Sequence, residues 1–101
     1  MKIQRQERGE DYYFIGARKL EVIKTKDWYF YSDNGRWDEG NYFLSAKAAN
    51  ACRMKLQSLF PELFEKIARE EANEGGPFIS KEEYEKIVPI IKKFRNARRL
   101  D

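Results

Sequence analysis

One stretch, residues 27–37, joins a dense run of aromatic side chains to the strongest short turn signal in the chain. It reads Asp-Trp-Tyr-Phe-Tyr-Ser-Asp-Asn-Gly-Arg-Trp. The pair Asn34-Gly35 tolerates a positive φ at both central positions of a type I′ turn, whose twist matches two antiparallel strands. The stretch therefore predicts a central strand at 28–33 that folds back into a second strand at 36–43.

The segments before this stretch extend the sheet. Residues 12–17 and 20–25 are rich in β-branched and aromatic side chains, a composition typical of strands. Residues 2–7 can add a first edge strand. We therefore expect a meander of three or four antiparallel strands over about residues 2–43.

The central strand has aromatic side chains on both of its faces. Period-two alternation places Trp28 and Phe30 on one face, and Tyr29 and Tyr31 on the other. Because tyrosine keeps a polar tip, we expect the Trp and Phe side chains in the core and the two tyrosines exposed.

The rest of the chain carries the signals of two or three helices, over about residues 45–59, 61–73 and 80–99. Ser45 is a good N-cap for the first helix, and Pro61 suits the first turn of the second. Ser80 and Glu83 fit a capping box at the start of the third. Pro89 lies inside the third helix and predicts either a kink or a division there.

A chain of 101 residues is long enough for one core and one domain. We expect a single α+β domain over residues 1–101. In it, an antiparallel meander of three to four strands is followed by two or three helices packed on one face. The other face of the sheet is then open for contact.

The residue types argue against catalysis. Histidine, the commonest general base and the commonest transition-metal ligand, is absent. The single cysteine, Cys52, falls on the apolar side of the first predicted helix, where we expect a buried core thiol. No nucleophile stands beside a base at a motif spacing. We therefore expect a non-enzymatic protein without a metal or a cofactor.

The sequence also bears on the compartment and the class of partner. No apolar run approaches the about 18 residues that a membrane span needs, and the N-terminal residues do not resemble a signal peptide. We therefore expect a cytoplasmic protein without a membrane partner. A formal charge of +3 and a pI near 9.0 permit a polyanionic partner without requiring one.

Basic and aromatic side chains are interleaved in the predicted sheet, where the candidate binding residues are Arg18, Lys19, Lys24, Lys26, Tyr29, Tyr31 and Arg36. Tyrosine rings can stack on bases while cations contact phosphates. Tyrosine and arginine are also enriched at protein–protein hot spots. A purely structural role remains the third interpretation, with both faces covered or the tyrosines packed under loops.

The C-terminal segment is the second candidate surface. Residues 61–85 carry three basic and eight acidic side chains, whereas residues 86–101 carry six basic and one acidic. The basic candidates are Lys92, Lys93, Arg95, Arg98 and Arg99. They can lie along phosphates, complement the helix dipole, or pack beside the acidic second helix.

The predicted order, a sheet followed by a helix, resembles that of a known DNA-reading fold. The residues that carry the resemblance by their spacing are Trp28, Arg36, Phe43, Ser45 and Ala49. In the three-stranded domain of the AP2 type, an aromatic residue in the last strand and a Ser or Thr precede an alanine-rich helix. The resemblance covers about residues 12–58 and departs where that family repeats arginines along its strands. It implies that such a sheet can present a face to DNA.

These features predict a small regulatory or accessory protein that binds nucleic acid through the aromatic-basic sheet face and the basic C-terminal segment. The alternative is an inhibitor or adaptor that binds a protein through the same aromatic patch, of the kind that phages and mobile elements encode. A binder of a small anionic nucleotide is the third hypothesis.

Overall fold

A computed structural model describes residues 4–72 and 78–99, without the side chains of residues 72 and 96–99. Its elements are β1 (Asp11–Ile15), β2 (Val22–Lys26), α1 (Tyr31–Glu39), α2 (Ala46–Leu59), α3 (Pro61–Ala72) and α4 (Lys81–Arg99). Within these residues, a two-stranded antiparallel sheet is followed by four helices. The predicted α+β class is confirmed, but the sheet has fewer strands than predicted.

The sheet is a single hairpin. β1 and β2 pair in antiparallel register, with Tyr12 opposite Thr25 and Phe14 opposite Ile23. The two strands overlap the strands predicted at 12–17 and 20–25. Residues 4–7 form no strand, so that part of the predicted edge strand is wrong, and residues 2 and 3 lie outside the described residues.

The predicted strand pair at 28–33 and 36–43 is wrong, because α1 occupies most of this stretch. Neither Asn34 nor Gly35 has the positive φ that a type I′ turn requires. The Asn34 N–H instead donates to the carbonyl of Phe30, over 2.9 Å, as in a helix. Gly40 ends the helix with a φ of 82°, a left-handed conformation that glycine adopts without strain.

The outer edge of β1 is closed without a full third strand. Phe43 exchanges two backbone hydrogen bonds of 2.8 Å with Tyr13. The Asn41 amide both donates to the carbonyl of Ile15 and accepts from its N–H, each over 2.8 Å. Gln6 Nε2 donates to the first carbonyl of β1 over 2.8 Å. The three-stranded sheet of the AP2 resemblance is therefore not formed.

Both faces of the hairpin are covered, so the prediction of helices on one face alone is wrong. Ile15 belongs to the larger core cluster, which includes Cys52 and Leu56 of α2, and Tyr13, on the same face of β1, packs against that cluster. Tyr12 and Phe14 point to the opposite face, where they form a second cluster with Tyr42 and with Trp37 of α1. α1 thus occupies the side of the sheet that was expected to be open.

The helices that follow begin with the caps expected from the sequence. Ser45 Oγ accepts from the N–H of Ala48 over 3.1 Å. Glu83 Oε1 accepts from the Ser80 N–H over 2.8 Å, and Ser80 Oγ accepts from the Glu83 N–H over 3.1 Å. α4 continues through Pro89 rather than dividing there. In the described part of the chain, no helix combines the length and the apolar character needed to cross a bilayer.

Substitution of Gly35 tests the helix against the hairpin. A Cβ at Gly35 would meet no atom within 4 Å, and its φ is not positive. Because alanine favours a helix interior over glycine by up to about 1 kcal/mol, Gly35→Ala should raise the free energy of unfolding by about 0.5–1 kcal/mol in urea denaturation. Stability lowered by this change would contradict α1, since a type I′ turn disfavours alanine there.

Gly40→Ala is the matched control. Its φ of 82° is strained for alanine, and a Cβ would lie 3.1 Å from the backbone Cα of Lys92 in α4. We expect this change to lower the free energy of unfolding by about 1–3 kcal/mol, so that the same substitution has opposite signs at the two glycines.

Candidate functional site

Four consecutive aromatic residues at the junction of β2 and α1 are exposed, and we call residues 28–31, which end on the first residue of α1, the aromatic loop. The exposed fractions are 45% for Trp28, 39% for Tyr29, 65% for Phe30 and 95% for Tyr31. The two tyrosines are exposed as expected, although they do not lie on a strand. The expectation that Trp28 and Phe30 belong to the core is wrong, because strand alternation does not apply to a loop.

Asp27, the residue before the aromatic loop, is fully buried and anchors it. Its carboxylate accepts from Arg5 Nε and Nη2 over 2.8 and 3.0 Å, and from the Tyr42 hydroxyl over 2.7 Å. It also accepts from the N–H of Tyr29 over 3.0 Å. Burial raises the pKa of Asp27, but the Arg5, Tyr42 and Tyr29 hydrogen bonds outweigh it and hold that pKa below its ordinary value.

Asp33, in the first turn of α1, is a second buried carboxylate beneath the loop. Its Oδ2 accepts from the N–H groups of Trp28 and Phe30 over 3.0 and 3.2 Å. Its Oδ1 accepts from the Tyr12 hydroxyl over 2.6 Å and lies 3.6 Å from Arg36 Nη1. Asp27 and Asp33 together therefore hold three successive backbone N–H groups of the aromatic loop.

A stacked tyrosine pair joins the two carboxylates. The Tyr12 and Tyr42 rings are fully buried, with centroids 4.2 Å apart and planes 10° apart. Burial raises the pKa of Tyr12 to about 12 and also raises the pKa of Tyr42, so both hydroxyls are neutral donors at physiological pH. Trp37 packs edge-on against Tyr42 at 5.0 Å. The aromatic loop thus rests on a packed base.

Tyr29 holds a strained backbone conformation at the centre of the loop. Its φ of 59° is uncommon for a bulky residue and costs about 1–3 kcal/mol. The Tyr29 hydroxyl donates to the Gln6 carbonyl over 2.8 Å, and the Arg5 guanidinium lies 4.4 Å from the ring centre. Such strain clusters at functional positions, where the surrounding structure enforces it.

The cations predicted on the sheet have acidic or aromatic neighbours within the chain. Lys24 and Lys26 share the carboxylate of Asp11, at 3.5 and 3.1 Å. Lys19 lies 3.2 Å from Glu71 of α3. Arg18 is exposed, and its guanidinium lies 5.4 Å from the centre of the Phe78 ring.

Two further predicted contacts, Arg36 and Arg95, are built into the packing. The Arg36 guanidinium lies 3.8 Å from the Phe14 ring centre and donates to the Tyr12 hydroxyl over 2.9 Å. Arg95 is only 5% exposed, lies 4.2 Å over Trp37, and donates to the Trp37 carbonyl over 3.0 Å. The Arg95 side chain is thus not at the surface where a partner would meet it.

In the basic C-terminal segment, some of the predicted contact residues are exposed and Arg95 is buried. Lys92 and Lys93 are exposed, and α4 packs on α1 through Arg95. The side chains of Arg98 and Arg99 lie outside the described residues. The one described ion pair between α3 and α4 joins Lys66 and Glu83 near the start of α4 rather than at its basic end.

A cavity of about 310 Å³ opens beside the aromatic loop. Its walls include Tyr31, Ser32 and Arg36 of α1, together with Phe14 of β1 and Tyr84 of α4. This volume lies at the lower limit of ligand pockets. Nowhere in residues 4–72 and 78–99 do three or more His, Cys, Asp or Glu side chains form a group able to hold a metal ion.

The two tyrosines of the loop were predicted as contacts from the sequence, but the contacts that Asp27, Asp33 and Arg5 make beneath the loop were not. Asp33 lies three residues after Phe30, the spacing at which an acidic side chain reaches back to a helix N-cap. That signal was present, but Phe30 is not a usual N-cap residue. Arg5 carried no signal, because its contact with Asp27 joins residues 22 positions apart. No protein-family model, curated protein or solved structure matches the chain.

Proposed function

We propose that the protein is a small non-catalytic regulator or adaptor that binds a protein partner through the aromatic loop. One observation carries this proposal: Asp27 and Asp33 fix the backbone of the loop from below while its side chains project into solvent. A monomeric soluble protein rarely exposes large apolar side chains side by side without a use for them.

Preorganisation favours binding by such a loop. Trp and Tyr side chains are the commonest hot-spot residues, and they bury a large area with few rotatable bonds. Because the loop backbone is already held by buried carboxylates, less conformational freedom is lost when a partner binds. The strained φ of Tyr29 fits the same interpretation, since a mobile loop would relax it.

The electrostatics favour a protein over a nucleic acid. Phosphate contacts need cations at the surface. Arg36 and Arg95, two of the predicted phosphate contacts, are engaged with aromatic rings and internal oxygens. The Phe30 and Tyr31 rings, by contrast, are 65% and 95% exposed. The cavity beside Tyr31 can accept a side chain of the partner.

A matched pair of double variants tests the proposal. Phe30→Ser with Tyr31→Ser removes two exposed rings, and Met54→Ser with Leu59→Ser removes two exposed apolar side chains of α2. The wild-type chain is used to isolate a partner from nuclease-treated lysate, and its affinity for each variant is measured by calorimetry. The Phe30/Tyr31 variant should bind the partner about 100-fold more weakly than the wild type, because two hot-spot rings are lost. The Met54/Leu59 variant should bind it less than about threefold more weakly.

Equal affinity of that partner for the wild type and the Phe30/Tyr31 variant would contradict the proposal. Equal losses in the two variants would also contradict it, because they would indicate a response to any loss of apolar surface. Far-UV circular dichroism of both variants establishes that the fold is retained.

Nucleic-acid binding is the second candidate, and one observation favours it. The guanidinium of the exposed Arg8 lies 5.5 Å from the centre of the Tyr29 ring. No acidic side chain among the described residues forms an ion pair with Arg8. A cation therefore lies beside aromatic rings that can stack on bases. Lys92 and Lys93 are further exposed cations. A gel shift at low salt with single- and double-stranded DNA and RNA tests this candidate. Binding should weaken steeply as salt rises, and no shift at low salt removes it.

A further inference from the structure

Among the residues that the structure describes, the outer edge of β2 has backbone groups without a hydrogen-bond partner. The Gly16 N–H donates to Glu21 O, and the Asp27 N–H donates to Glu10 O, each in the register of the hairpin. Because alternate residues of an antiparallel strand turn their backbone groups to opposite sides, residues 21, 23, 25 and 27 face β1. The N–H and C=O groups of residues 22, 24 and 26 therefore face outward.

The two outer edges of the hairpin differ in whether their outward backbone groups have hydrogen-bond partners among the described residues. On β1, Phe43, Asn41 and Gln6 satisfy the outward backbone groups. On β2, no hydrogen bond from any described residue reaches the backbone of Val22, Lys24 or Lys26. Such an edge is a template for pairing with another extended chain.

The charge around the open edge indicates what kind of chain fits it. β2 and the helix packed on it, α2, carry five basic side chains and no acidic one: Lys24, Lys26, Lys47, Arg53 and Lys55. Lys24 and Lys26 have only Asp11 as an ion-pair partner among the described residues. Pairing with β2 of a second copy would bring lysines opposite lysines, which is unfavourable.

We propose that the outer edge of β2 binds an extended acidic segment of a partner protein, which adds a strand to the hairpin. Backbone hydrogen bonds to Val22, Lys24 and Lys26 provide the pairing, and the two lysines select acidic side chains at alternate positions. The Phe30/Tyr31 double variant leaves Val22, Lys24 and Lys26 unchanged, and the Lys24/Lys26 double variant leaves the aromatic loop unchanged, so either proposal can fail while the other stands.

The test uses the full chain, labelled with ¹⁵N, and a capped synthetic ten-residue peptide of alternating Glu and Val. Three comparison peptides are used: one with Lys in place of Glu, one with the backbone N-methylated at alternate residues, and one with the same composition in scrambled order. We expect chemical-shift changes at residues 22–26 and slower exchange of the outward N–H groups. The Lys peptide and the N-methylated peptide should bind at least about 10-fold more weakly.

Charge reversal supplies the protein control. Lys24→Glu with Lys26→Glu should weaken binding of the Glu-Val peptide at least about 10-fold. Lys92→Glu with Lys93→Glu, the same change at exposed lysines of α4, should alter it less than about twofold. Equal weakening by both pairs, undiminished binding of the N-methylated or scrambled peptide, or dimerisation of the chain through β2 would each overturn the proposal.

Discussion

Asp27→Ala is expected to lower the free energy of unfolding by about 2–4 kcal/mol, because it removes a buried carboxylate whose ion-pair partner, Arg5, is partly exposed. The carboxylate is fully buried and accepts from Arg5, Tyr42 and the Tyr29 N–H. Its removal leaves four donor groups of these three residues without this acceptor. Urea denaturation followed by circular dichroism measures the loss.

Asp38→Ala is the control for Asp27→Ala. Asp38 is an exposed carboxylate in α1, and its replacement should change the free energy of unfolding by no more than about 0.5 kcal/mol. A change at Asp27 as small as that at Asp38 would contradict the anchoring role of this carboxylate.

The same carboxylate makes stability depend on pH. Because the pKa of Asp27 is lower in the folded than in the unfolded chain, its contribution is fully present above the unfolded value of about 4. The contribution is lost as the pH falls through the lower folded value. The difference in stability between the wild type and Asp27→Ala should therefore be smaller at pH 2.5 than at pH 7, as measured by urea denaturation at both values. A difference that grows on acidification would contradict the direction of the pKa shift.

Asp33→Ala is expected to lower the free energy of unfolding by about 2–4 kcal/mol. The N–H groups of Trp28 and Phe30 lose their acceptor, and the first turn of α1 loses an acidic side chain that favours its dipole. The buried Tyr12 O–H loses its acceptor at 2.6 Å while its oxygen still accepts from Arg36, and an unsatisfied buried donor costs about 1–3 kcal/mol. Thermal and urea denaturation both report the loss.

A double-mutant cycle isolates the Asp33 contact with Tyr12. Tyr12→Phe removes the hydroxyl that Asp33→Ala leaves without an acceptor, so the double variant should lose less stability than the sum of the single variants, by about 0.5–3 kcal/mol. Strict additivity would contradict a direct contact between the two side chains.

Local signals in the sequence were sufficient for the hairpin strands and for the helix caps. They were insufficient for α1, because Asn34-Gly35 favours a turn on its own. Tertiary contacts outweigh that preference: Asp33 accepts N–H groups at the helix start, Trp37 packs on Tyr42, and Gly40 provides the left-handed end. A weak helix-forming sequence becomes helical where packing requires it.

The candidate site was predictable in composition but not in geometry. Tyr29 and Tyr31 are exposed as expected, but not for the expected reason: all four aromatic residues lie outside a strand, and Phe30 is more exposed than Tyr29. The burial of Arg95 depends on a ring 58 positions earlier in the chain. Contacts over such separations leave no local pattern in a single sequence.

Order parameters of the Trp28, Tyr29 and Phe30 amides, from ¹⁵N relaxation, test most directly whether buried carboxylates hold the aromatic loop rigid. We expect values of about 0.85 for the unmodified protein, the level of rigid backbone, and lower values for the same amides in Asp33→Ala. Values below about 0.6 in the unmodified protein would contradict a preorganised loop.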